Sequence, residues 1–176
     1  MANEQYPINH SIMKVIHDQI IHYTHTYNKS FIVLFNLNFP AEYLYAQDNS
    51  YIIQFMDRFN KHLEYKKLRP AYVWVREQLT SMNHHYHCLL ILDGNKIHKH
   101  WEIMKEAERL WGSIISHDST GLVHYDNRCT WMIRKDYPSY AQDIADCIFV
   151  SSYLAKTNGK DLAPHRMRNY GFSYPK

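Results

Sequence analysis

AYVWVREQLTSMNHHYHCLLILDG, residues 71–94, holds two apolar runs separated by a short polar link. β-Branched, aromatic and aliphatic residues dominate both runs, which favours extended backbone. The link, LTSMN at 79–83, is too short for a crossover helix, so the two strands form an antiparallel hairpin. Asp93-Gly94 closes the second strand. Side chains alternate across a strand, so His85 and His87 share one face and Tyr86 takes the other. His84 is out of that phase, either a loop residue or an alternate ligand.

Two imidazoles two residues apart on a rigid strand can converge on one metal ion. Glu77, at the end of the preceding strand, can bring a carboxylate beside them. Such a set leaves positions open for phosphate oxygens or water. It suits Mg²⁺ or Mn²⁺ acting on phosphodiesters, and its histidines also suit Zn²⁺. In a chain with 13 histidines an H-x-H triplet also arises by chance, and Glu77 reads equally well as a solvated strand end.

Working outward, Ile8, Ile12, Val15, Ile16, Ile20 and Tyr23 recur at helical spacing over residues 8–27. SFIVLFNLNFP, residues 30–40, reads as a strand ended by Pro40. Ile52, Phe55, Met56, Phe59 and Leu63 form the stripe of a helix over 50–67, and Trp101, Met104, Ala107, Leu110 and Trp111 that of a helix over 98–111. GLVHYD (121–126) and CTWMIR (129–134) are two short strands with Asn127-Arg128 as the turn between them. A last helix is expected from Ser139 to Lys156, capped by Gly159. The order αβαββαββα gives an α+β fold, a mainly antiparallel five-stranded sheet covered by helices, in one domain spanning 1–176.

The 176 residues carry 15 tyrosines and a net charge of +3, with few glycines and prolines. That profile is globular and argues against extended disorder. The mild basicity permits nucleic-acid binding without requiring it. Cys88, Cys129 and Cys147 lack metal-type spacing and read as reduced thiols. The N-terminus lacks a signal-peptide layout and no apolar run approaches membrane-spanning length, so a cytoplasmic protein without a membrane partner is expected.

In the last helix the apolar stripe is Ala141, Ile144, Ala145, Ile148, Ser152 and Ala155. Tyr153 points roughly 100° or more from its centre. Lys156 lies one turn on. A phenol beside an ammonium group and a metal ion is a competent nucleophile for phosphoryl transfer. Alone, the same pair reads as a boundary tyrosine next to a solvated lysine.

FNLNFP (35–40), HYH (85–87) after an upstream glutamate, and YLAK (153–156) together resemble the three ordered motifs of the HUH endonucleases, which nick single-stranded DNA to start rolling-circle replication. The likeness is closest to the inovirus-type replication proteins, the YagK/YfjJ C-terminal domain family, and covers roughly residues 30–160. The resemblance implies a nuclease palm of the RRM-like type. It implies His85 and His87 as the metal-binding pair and Glu77 as the acidic residue completing the site. Tyr153 would be the nucleophile that forms a 5′-phosphotyrosine, with Lys156 as its basic companion. Asn36 and Asn38 fall in the first motif and share a strand face, as polar groups that reach DNA or support the site. Phe149 and Thr157 stand one turn before and after Tyr153, so this is a single-tyrosine pattern; Tyr137, Tyr140 and Tyr170 are lesser candidates.

The expected partner is single-stranded or hairpin origin DNA of a phage, plasmid or integrated element. Basic and aromatic groups to hold it include Arg69, Arg76, Lys135 and the tail HRMRNYGF, where Arg166 and Arg168 interleave with Tyr170 and Phe172. The tail at about 160–176 otherwise reads as a partly ordered terminus. No G-x-x-x-x-G-K-[ST] loop is present, so unwinding falls to a host helicase. Two other functions fit the same pattern: a catalytically silent DNA-binding regulator, and a single-tyrosine transposase or relaxase. A phosphodiester hydrolase with water as nucleophile is a third.

Overall fold

The computed structural model describes residues 7–97, 100–125, 127–158 and 167–174. Among the described residues there are four α-helices: α1 (His10–Thr26), α2 (Ser50–Tyr65), α3 (His100–Ile115) and α4 (Tyr140–Ser151). Six strands, β1 (Lys29–Leu37), β2 (Ala71–Glu77), β3 (His85–Asp93), β4 (Val123–His124), β5 (Thr130–Arg134) and β6 (Tyr170–Phe172), form one sheet. Its order is β4-β1-β3-β2-β6, with β5 also on β1, and every pairing is antiparallel. The expected α+β fold is therefore observed, with one strand more than the sequence indicated. Among the described residues no helix is long and apolar enough to cross a membrane.

Period-two alternation splits the apolar strand residues between two cores. Phe31, Val33, Phe35, Trp74, Tyr86 and Leu90 face α2 and α3, where Phe55, Phe59 and Trp111 fill the space. Ile32, Leu34, Val73, Val75, Leu89 and Ile91 face α1 and α4. Each fully buried large apolar side chain contributes about 1.5–3 kcal/mol of transfer free energy. The β2–β3 hairpin is as expected, in a register that sets Glu77 opposite His85.

Three local expectations are corrected. Asn127-Arg128 is no hairpin turn: β4 and β5 both run antiparallel to β1, and Asn127–Cys129 is a 3-10 turn joining two segments along one edge. The final helix stops at Ser151, and Ser152–Ala155 continue as a 3-10 turn. There the Ser152 hydroxyl donates to the Phe149 carbonyl at 2.6 Å, while Leu154 and Ala155 are buried. The tail, whose other reading was a partly ordered terminus, supplies β6 on the open edge of β2. Gly159 and Arg166 lie outside the described residues. Cys88 and Cys147 are buried free thiols.

Candidate metal centre

β1, β2 and β3 each bring one strand end to the same place. Asn36 is directly opposite His87 across β1–β3, Val75 opposite His87 across β2–β3, and Glu77 opposite His85. Residues opposite one another share a face. Asn36, Glu77, His85 and His87 therefore project together on the α1/α4 side. Ligand atoms of Glu77, His85 and His87 all lie within 4.8 Å of one another, which makes them a group able to hold a metal ion. His87 Nε2 is 2.8 Å from a Glu77 carboxylate oxygen and 3.1 Å from His85 Nε2.

Asn36 sets the tautomer. Its Oδ1 lies 2.6 Å from His87 Nδ1, so that nitrogen carries the hydrogen and donates. The Nε2 lone pair then points at a second imidazole nitrogen and a carboxylate. Three ligand atoms stand this close in a site where Glu77 and His87 are buried, an arrangement that can take a cation among them. A hydrogen-bonded outer partner of this kind fixes a ligating histidine in orientation.

The 3-10 turn after α4 carries the expected nucleophile to this cluster. The Tyr153 ring meets the His87 ring edge-on at a centroid distance of 5.7 Å and is 50% exposed. Lys156 Nζ sits over the Tyr153 ring, 4.1 Å from its centroid. The turn is held from the far side by the N-terminal segment. Ala155 accepts from the Asn9 amide at 2.7 Å, Lys156 bridges Ile8, and Thr157 donates through both its amide and its hydroxyl to Pro7. Asn9 also caps α1, its Oδ1 accepting from the Ile12 amide at 3.1 Å.

Other expected residues fall elsewhere. His84 is not an alternate ligand. It is 1% exposed on the opposite face, bonded to the Tyr86 hydroxyl at 2.8 Å, and burial lowers its pKa to about 4, so the ring is neutral. Arg76, expected on DNA, is 2% exposed with its guanidinium bonded to Gln47 and Gln78, and that burial does not fit a phosphate contact. Burial also pulls its pKa down, with the Tyr86 hydroxyl opposing. Asn38 ties β1 to the turn before β4, donating to the Leu122 carbonyl through both its amide and its side chain, while its own carbonyl accepts from Trp111. Arg168 is exposed, and its carbonyl accepts from Asn49. His124, not singled out in the sequence, is exposed on β4 opposite Asn36, which extends the polar row by one strand. The alternation within GLVHYD was a signal for its face, but not for its partner.

A family model described as the YagK/YfjJ C-terminal domain matches residues 2–173. The chain belongs to that family. No curated protein and no solved structure matches it.

Proposed function

We propose that this member of the YagK/YfjJ C-terminal domain family is a metal-dependent, single-tyrosine endonuclease of the HUH type. It nicks and rejoins single-stranded DNA at the replication origin of a phage, plasmid or integrated element. The observation that carries the reading is Tyr153 standing edge-on to His87, the central member of the Glu77–His85–His87 cluster. Motif order alone could not require that meeting, since the residues come from separate elements of the chain.

Glu77, His85 and His87 would hold a divalent cation. A carboxylate and two imidazoles suit Mg²⁺ or Mn²⁺ acting on a phosphodiester, and the imidazoles also suit zinc. When bound, the ion supplies Lewis-acid polarisation of the scissile phosphate's oxygens.

The chain's own groups do the rest. The Tyr153 oxygen attacks phosphorus and its proton passes to solvent. The bond from phosphorus to the 3′ oxygen breaks, and that oxygen leaves as a hydroxyl after taking up a proton. A 5′-phosphotyrosine remains, and a 3′ hydroxyl attacking it reverses the step. Lys156, over the ring, opposes the negative charge that grows between tyrosine and phosphate. Asn36 keeps His87 turned to the site. Strand separation would come from a helicase partner.

Incubation with Mn²⁺ and labelled single-stranded origin DNA should trap a covalent adduct that Tyr153→Phe abolishes. An adduct that survives this change removes Tyr153 from the role. DNA binding and metal binding with no adduct at all would assign the chain to a silent regulator.

A further inference from the structure

The edge strand β6 leads away from the metal centre. Tyr170 stands opposite Val75 and Phe172 opposite Val73, so both rings lie on the face that carries Glu77, His85 and His87. The Tyr170 and Phe172 rings are 6.4 Å apart and only 13° from parallel, and Tyr174 follows at 5.5 Å from Phe172. Tyr170 and Phe172 are half-buried, whereas Tyr174 is 81% exposed. Tyr174 joins the wall of a cleft of about 610 Å³, together with Tyr27, Lys67, Arg69 and Lys96. Ala71 in the cleft wall and Glu77 in the metal cluster are the two ends of β2. At about 3.3 Å per residue they are roughly 20 Å apart.

Two cations of this cleft have left-handed backbone conformations. Lys67 has φ 58° and Arg69 φ 51°, in the left-handed region that a Cβ disfavours. Lys67 follows the end of α2 in a Schellman closure, its amide donating to Glu64 at 2.7 Å and that of Leu68 to Leu63 at 3.0 Å. Glycine is the usual occupant of that position. Lys96 approaches from the β3 side and donates to the Lys67 carbonyl at 2.8 Å. Arg69 lies over Tyr27 and pairs with Asp93, which makes it part of the wall.

We propose that the file of rings on β6 and the basic cleft form a track for single-stranded DNA beyond the scissile phosphate. The proposal rests on the nickase reading for the identity of the strand, and adds where the strand runs. Every base has a face to stack on an aromatic ring, and every phosphate a charge for lysine. Tyr174 receives a base, and Lys67 and Lys96 meet the adjoining phosphates. At a stacked spacing of about 3.4 Å per nucleotide, the track is roughly six nucleotides long.

The test uses the Tyr153→Phe protein, which binds without cutting, and fluorescein-labelled oligothymidylates of about four and about twelve nucleotides. Fluorescence anisotropy should give the longer strand at least a tenfold tighter affinity. Tyr174→Ala should lose about tenfold on the long strand and nothing on the short one. Lys67→Gly should weaken the long strand and lower the salt slope by about one, while its melting temperature stays or rises because the strained φ is relieved. Equal affinity for both lengths, or variants that bind the long strand like the parent, would overturn the track. So would thymidine monophosphate binding that Tyr174→Ala removes without any length dependence, since the cleft then takes a free nucleotide. If the wild-type protein forms no adduct yet length dependence holds, the nickase reading fails and the track stands. If the adduct forms and length dependence is absent, the reverse is true.

Discussion

Asn36 illustrates how much a single side chain decides. By fixing the hydrogen on His87 Nδ1 it presents the Nε2 lone pair to the cluster, and it has no need to touch the metal itself. Asn36→Ala should therefore weaken Mn²⁺ binding about 10- to 100-fold, as loss of an outer partner typically does, with the fold intact. Calorimetric titration that gives wild-type affinity would refute this role. The cysteines give a separate check on burial. Cys147 is pushed up to about 12 by burial, against a hydrogen bond to Ser151 that lowers it, and burial raises Cys88 as well. A raised thiol pKa means less thiolate, on the order of one part in ten thousand at pH 8 for Cys147. Iodoacetamide at pH 8 should modify half-buried Cys129 first, and Cys88 and Cys147 only after unfolding; mass spectrometry of the peptides reads the order.

At the scale of elements, the sequence made some features plain and hid others for reasons of distance. The β2–β3 hairpin was legible because its alternation and its short link are both local, and so was the shared face of His85 and His87. The pairing of β4 and β5 with one edge of β1 was not, since nothing in GLVHYDNRCTWMIR reports on a partner some ninety residues earlier. The 3-10 turn at Ser152–Ala155 was hidden too: its composition suits an α-helix, and its geometry is imposed by contacts with Pro7, Ile8 and Asn9 at the other end of the chain. That dependence has a consequence. Removing residues 1–8 deletes the Pro7 and Ile8 contacts but leaves the Asn9 cap of α1 and every metal ligand in place. Adduct formation should fall roughly 10- to 100-fold through misplacement of Tyr153, with Mn²⁺ affinity unchanged. A matching loss of metal affinity would mean that the N-terminal segment supports the sheet, not the turn.

At the scale of the molecule, the tail adds a sixth strand that gives the candidate site a flank. Without β6, the β2 edge beside the metal cluster would expose unpaired backbone groups. The strand is three residues long and pairs with β2 about a hundred residues earlier, which is why Tyr170 and Phe172 looked like loose aromatics among tail arginines. Its docking depends on a close approach at Gly171, which stands opposite Trp74 on the α2/α3 face. A Cβ there would come within 2.6 Å of the indole ring, and Trp74 is buried with its ring against Tyr86. Gly171→Ala should therefore cost about 1–3 kcal/mol, as overpacking does, and the loss should be local. In hydrogen exchange the β6 amides and the Ser173 amide, which donates to Tyr72, should lose protection, while β1–β3 keep theirs. Mn²⁺ binding should survive, because no ligand lies on β6. Protection lost throughout the sheet would show that β6 is required for the fold as a whole, and unchanged protection would show that Trp74 can move aside.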